Sequence, residues 1–278
     1  MSQIASGDGT RLALRSWSGS KPTLAMLHAT GFCKETWGPL IEELRVCGVE
    51  NEVVAWDQRA HGDSGPIGAM ADWWELGHDA VAVVASIESP IVGMGHSSGG
   101  AALVMAELLR PASFDSLILV EPVIFPPPYG RDEDSPLAAG AKRRRASFSS
   151  RAEARQNYIG RGAFANWEER AVDAFVAGCF TTTGDGITLK CRPEDEAEFY
   201  RAGSAHGVWD RLGEVNVTTL IVSGEQDSGV FDGLAARQAA EFPDAKVAMV
   251  ADAGHFVPME QPAALAALVA DHLVSTQG

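Results

Sequence analysis

The chain has 278 residues, 46% of them hydrophobic and 21% charged, enough apolar material to bury a sizeable core. Its 22 basic residues face 37 acidic ones, a net charge of −15, which argues against a nucleic-acid partner because phosphate binding needs a basic footprint. No apolar run reaches the ~18–20 residues of a membrane-spanning helix, and the amino terminus lacks a charged-then-apolar leader, so a soluble, cytoplasmic chain with no membrane partner is expected.

Residues 3–5 and 12–17 alternate in polarity around Gly7-Asp8-Gly9-Thr10, which predicts an opening β-hairpin. Short apolar runs follow at 23–28, 53–57, 91–96, 116–120, 219–223 and 246–251, the pattern of parallel strands covered on both faces. Helical spacing separates them at 37–44, 72–87, 99–109, 234–242 and 263–274. Such alternation predicts an α/β fold, a mostly parallel sheet with helices on both faces. Between 122 and 212 the rhythm breaks. Pro126-Pro127-Pro128 leads into helical patterns at 137–146, 151–159, 167–176 and 194–202, and a turn at Thr183-Gly184-Asp185-Gly186 precedes a strand-like 187–191. The expected organisation is a core of 1–121 and 213–278 with a mostly helical cap insert at 122–212, since a structureless loop of that length does not fit a compact domain. Cys33, Cys47, Cys179 and Cys191 have neither CxxC nor zinc spacing and are read as reduced thiols, with a Cys179–Cys191 bridge as the alternative.

The strongest chemical signal is Gly95-His96-Ser97-Ser98-Gly99, a G-x-S-x-G between an expected strand and a buried helix. A tight strand-to-helix turn presents the serine hydroxyl at the positive end of the helix, and only small residues two positions either side allow the close approach. The Ser98 amide faces the same space and can stabilise an oxyanion. A rival reading of Gly93, Gly95 and Gly99 as a dinucleotide fingerprint is weaker, because several strands precede it. Downstream, Ala251-Asp252-Ala253-Gly254-His255-Phe256 follows the last strand and supplies a general base. Two carboxylates compete to orient it: Asp227, just past a strand end, is favoured over Glu121, which ends the strand before the break.

These residues resemble the α/β-hydrolase fold superfamily, in its capped, esterase- and lipase-like branch of serine hydrolases. His28-Ala29-Thr30-Gly31-Phe32 is similar to that family's oxyanion loop, and Asp57-Gln58-Arg59-Ala60-His61-Gly62-Asp63-Ser64 to its D-x-R-G-x-G-x-S segment, with Ala29 and Ala60 standing where glycine is usual. The resemblance implies the Thr30 amide as the second oxyanion donor beside Ser98, with Gly31 or Phe32 next in line. It also implies a substrate held between elbow and cap, for which Phe32, Trp37, Phe125, Trp167, His206, Trp209, Val230 and Phe256 are the candidate lining residues. Nothing in the sequence suggests a metal or another cofactor: H-E-x-x-H, zinc spacing and a P-loop are all missing. The expected activity is hydrolysis of a small, mainly apolar carboxylic ester or lactone through an acyl-enzyme, by a monomer or homodimer acting on a small-molecule substrate. The alternatives are C–C bond, thioester, perhydrolase or lyase chemistry on the same triad, and a non-catalytic ligand-binding relative.

Overall fold

The apolar runs assemble into an eight-stranded sheet in the computed structural model, which describes residues 2–68, 70, 72–226 and 229–276. Strands β1 (Ser2–Ala5) and β2 (Arg11–Trp17) form the antiparallel hairpin, with Ala5 opposite Arg11. Then come β3 (Ser20–Leu27), α1 (Gly38–Val46), β4 (Asn51–Trp56), α2 (Trp74–Val84), β5 (Ile91–His96), α3 (Ser98–Leu109) and β6 (Ser116–Val120). Every residue of β5 and β6 is buried, as the two-faced apolar runs require.

The segment after β6 leaves the sheet. It carries α4 (Pro136–Lys142), β7 (Ser147–Phe148), α5 (Arg151–Tyr158), α6 (Glu169–Gly178), β8 (Phe180–Thr183), β9 (Gly186–Leu189) and α7 (Pro193–Ala202). Besides the four helices, it therefore holds a small antiparallel sheet in the order β7-β9-β8. An aromatic cluster of Phe148, Tyr158, Phe164, Trp167, Phe175 and Phe180 fills its interior. The chain returns as β10 (Thr218–Gly224), α8 (Leu234–Glu241), β11 (Ala245–Val250), α9 (Val257–Glu260) and α10 (Pro262–Thr276).

The sheet order is β1-β2-β4-β3-β5-β6-β10-β11, antiparallel at β1, β2 and β4 and parallel from β4 onward. One face packs on α2 and α3, where Leu76, Ala80 and Val83 meet the small residues of α3. The other face packs on α1 and α10 through Leu40, Ile41, Leu265, Val269 and Leu273. Helices thus cover both faces of the central strands, and the loops at the carboxyl ends of the parallel strands are left to build a site.

All four cysteines are free thiols. Cys179 lies against Cys33, with the two sulfurs 2.8 Å apart, so its sulfur neighbour is not Cys191. Among the described residues, no helix is long and apolar enough to cross a membrane.

Candidate active site

Ser97 joins β5 to α3 with φ 55° and ψ −115°, a backbone region that L-residues rarely occupy. The turn is possible because its flanks lack side chains. A Cβ on Gly95 would stand 2.6 Å from Gly100, and one on Gly99 would run into the carbonyl oxygens of Leu27 and His28. The Ser97 amide donates to the Val120 carbonyl and its carbonyl accepts from Val123, so the elbow is tied to the end of β6.

His255, in the turn between β11 and α9, comes within 3.1 Å of Ser97 Oγ through Nε2. That turn is pinned twice: Gly254 N donates to Glu260 Oε2 at 2.6 Å, and His96 Nε2 lies 2.8 Å from the His255 carbonyl oxygen. A carbonyl only accepts, so His96 carries its proton on Nε2. Burial pushes the His96 imidazole down to about 3, which keeps it neutral in that role. The Phe231 ring lies 4.5 Å from His255.

Glu121 follows β6 with φ 49° and is buried. Its Oε1 accepts from Gly224 N at 2.5 Å, while Oε2 stands 3.7 Å from His255 Nδ1, an ionic contact longer than a hydrogen bond. The other candidate acid, Asp227, lies outside the described residues.

The loop after β3 lies beside the elbow. Thr30 Oγ1 donates to Ser98 Oγ at 3.1 Å, and Gln58 Nε2 donates to the same hydroxyl at 3.1 Å and to the His28 carbonyl. Gly31 N donates to His61 Nε2 at 2.8 Å and Phe32 N to the Ala29 carbonyl at 3.2 Å. Both of the amides next in line as oxyanion donors are thus engaged inside the protein. Sequence reasoning gave Gln58 and His61 no chemistry; their signal was the D-x-R segment itself, which ends β4 beside this loop.

Ser97 and His255 open into a cavity of about 770 Å³ that Ala29 and Thr30 also line. Of the residues expected at the substrate, Phe125, Val230 and Phe256 line it. The others are placed elsewhere by packing. Trp37 is core beneath α1. Phe32 and Trp167 meet edge to face at 5.1 Å inside the aromatic cluster. His206 stacks on Trp73, its Nε2 3.1 Å from the Val123 carbonyl oxygen, and Trp209 packs on the α3 side beneath Arg237. Residues that line the cavity without having been singled out include Trp73, Val123, Leu137, Tyr200, Phe231 and Leu234. Only Phe231 carried a sequence signal, as an aromatic one position past Val230.

Cys33, Glu35 and Asp57 bring possible metal-ligand atoms within 4.8 Å of one another. Lys34 already supplies a cation there, with Nζ 2.7 Å from Asp57 Oδ2, 3.0 Å from Asp63 Oδ2 and 3.1 Å from Glu35 Oε1. Burial opposes the Lys34 charge, but the surrounding carboxylates outweigh it and raise the pKa above the ordinary lysine value. The ammonium thus already pairs with two of the three candidate ligands, Glu35 and Asp57.

A strand-to-helix serine elbow at the carboxyl ends of an eight-stranded, mostly parallel sheet defines an α/β hydrolase. Residues 24–268 match the alpha/beta hydrolase family, and the chain belongs to it. Among curated proteins it is similar to the abhydrolase domain-containing protein ACTT2-1 of Alternaria alternata, 24% identical over 223 residues that cover 66% of this chain and 83% of that one. It also resembles the type I acyl-CoA thioesterase mpaH of Penicillium roqueforti, 28% identical over 167 residues, 54% of this chain and 38% of that one. Among solved structures, E-2-(acetamidomethylene)succinate hydrolase superposes with a TM-score of 0.83 at 19% identity, covering 98% of each chain. The peroxisomal α/β-hydrolase Lpx1 of Saccharomyces cerevisiae superposes with a TM-score of 0.82 at 17% identity, covering 98% of this chain and 84% of that one.

Proposed function

We propose that the protein is a serine hydrolase that cleaves a small, mainly apolar carboxylic ester or lactone through an acyl-enzyme. The observation that carries this reading is the 3.1 Å approach of His255 Nε2 to Ser97 Oγ at the wall of a cavity. His255 takes the hydroxyl proton as Ser97 Oγ adds to the substrate carbonyl carbon. The amides of Thr30 and Ser98 donate to the oxyanion that forms. The imidazolium then returns its proton to the departing alkoxide, leaving an ester on Ser97. Water, deprotonated by the same imidazole, adds to that ester; the acid departs and the Ser97 hydroxyl is restored.

Asp227 is the carboxylate we assign to orienting the imidazole. Glu121 engages the Gly224 amide through one oxygen and stands 3.7 Å from His255 Nδ1 through the other, which suits a neighbouring negative charge better than a fixing hydrogen bond.

The cavity wall supports an apolar substrate. Its charged residues, Asp132, Asp232 and Arg237, are all exposed, while the deeper wall is built from Trp73, Val123, Phe125 and Leu234. Val123, Phe125, Leu137 and Tyr200 come from the segment 122–212, to which we assign the role of cap. A thioester is the second reading, favoured by the resemblance to an acyl-CoA thioesterase.

A panel of nitrophenyl esters, lactones and acyl thioesters tests the proposal. The expected result is turnover of short apolar esters by the wild type and its loss in Ser97→Ala and His255→Ala. Undiminished turnover in either variant contradicts the mechanism, and hydrolysis confined to thioesters selects the second reading.

A further inference from the structure

The loop that would supply an oxyanion donor is held from behind by a histidine. His61 is fully buried, with Nε2 accepting from Gly31 N at 2.8 Å and Nδ1 lying 2.9 Å from the Arg59 carbonyl oxygen. These two neighbours fix its chemistry. An amide N–H only donates and a carbonyl only accepts, so Nδ1 carries the proton, Nε2 is a lone pair, and the ring is neutral. A protonated ring would set one N–H against another.

Helix α7, borne by the segment between β6 and β10, packs on the same place. Phe199 meets the His61 ring edge to face at 4.7 Å. One turn earlier, Glu196 Oε1 stands 2.7 Å from where a Cβ on Gly31 would be, and Gly31 has φ +85°. Arg144 Nη1 donates to both oxygens of Glu196 at 2.9 Å, and Tyr200 hydroxyl donates to Oε1 at 3.4 Å. Gly31 is therefore clamped between a ring from the loop after β4 and a part-buried ion pair from the inserted segment. Thr30, its neighbour, lines the cavity with Ser97 and His255, whereas Gly31 does not.

We propose that His61 is a positioning residue: its neutral imidazole holds the Gly31 amide away from the cavity and thereby aims the Thr30 amide at the reacting carbonyl, with α7 locking the arrangement through Phe199 and the Arg144–Glu196 pair. The proposal rests on the serine-hydrolase reading given above. It makes α7 part of the catalytic geometry as well as a wall of the pocket. Oxyanion donors stabilise most when they are aimed before charge develops, and small misplacements are costly.

The test uses two amide side chains that mimic different ring nitrogens. Glutamine reaches to the position of Nε2 and can accept from Gly31; asparagine reaches only to Nδ1. On a nitrophenyl ester, His61→Asn is expected to lower kcat by ~10–100-fold with KM within about twofold, whereas His61→Gln recovers most of kcat. In the wild type labelled with ¹⁵N-histidine, His61 should show a protonated Nδ1 and an unprotonated Nε2 at neutral pH, a readout that needs no variant to fold. Equal kcat for the wild type and both variants, or a protonated His61 Nε2, overturns the positioning role while the hydrolase reading stands. A wild type that turns over no ester, thioester or lactone and leaves Ser97 unlabelled by a fluorophosphonate overturns both.

Discussion

Ser97, Glu121 and Asp252 are three of the five non-glycine residues with positive φ among the described residues; Ser97 and Glu121 directly follow parallel strands at the candidate site, and Asp252 stands two residues past the end of β11. Such conformations cost ~1–3 kcal/mol each and persist where the surrounding structure over-determines them. At Ser97 the strain lifts the hydroxyl out of the sheet; at Glu121 it turns the carboxylate back toward Gly224 and His255. The division of labour between the carboxylates can be measured. Asp227→Asn should lower kcat by ~10³–10⁴-fold, the usual loss when an imidazole is no longer held in its working tautomer. Glu121→Gln should cost less than Asp227→Asn, because the amide oxygen still accepts from Gly224 and only the charge beside His255 is lost. A reversed order of the two effects reassigns the acid to Glu121. Ser97 and His255 were legible in the sequence because each sits in a short motif whose spacing is dictated by backbone geometry. Tyr200 and Leu137 were not, since they reach the cavity only through the path of the inserted segment, and Trp73, just before α2, sits in no motif that marks it.

The element that presents the serine tolerates almost no change. All residues from Ser98 to Glu107 in α3 are buried, and Gly99 packs on the carbonyl oxygens that end β3. Gly99→Ala has no free space for its methyl and should destabilise by ~1–3 kcal/mol in denaturant unfolding, with loss of activity as the elbow shifts. A variant of unchanged midpoint and activity would show that the β3–α3 contact yields easily. Strands β5 and β6 were read at their observed limits because burial on both faces leaves an unbroken apolar run. The helix expected over 72–87 runs only from Trp74 to Val84: the Asp72 side chain accepts from Trp74 N at its start, and Ala85, Ser86 and Ile87 continue as a tightening turn. Strands β7 and β8 escaped sequence reading for a different reason. One has two residues, and the other exposes three consecutive threonines with no apolar alternation to reveal it.

At the scale of the whole molecule, buried neutral histidines make the fold acid-sensitive. Burial holds His96 at about 3 and His206 at about 4, both below the ordinary histidine value of 6.5. Above pH 6.5 these side chains are neutral in both folded and unfolded states and do not affect the balance. Below it the unfolded chain takes up protons that the fold refuses, so stability falls by ~1.4 kcal/mol per pH unit for each residue, until about pH 4 for His206 and about pH 3 for His96. Denaturant unfolding between pH 7 and 5 should show this decline; a flat profile contradicts it. Thiol reactivity offers an independent check on the packing. Cys47 is exposed while Cys33, Cys179 and Cys191 are buried, and burial raises the Cys33 and Cys191 thiols well above the ordinary range. A chromogenic disulfide reagent should therefore titrate one thiol in the native protein and four after unfolding.

The most direct measurement is the intact mass of the protein after exposure to a fluorophosphonate, followed by peptide mapping. One adduct per chain on the peptide holding Ser97, lost in Ser97→Ala together with ester turnover, is the expected result. Ester turnover with Ser97 unmodified, or an adduct on another residue that abolishes activity, would contradict a serine nucleophile at this elbow.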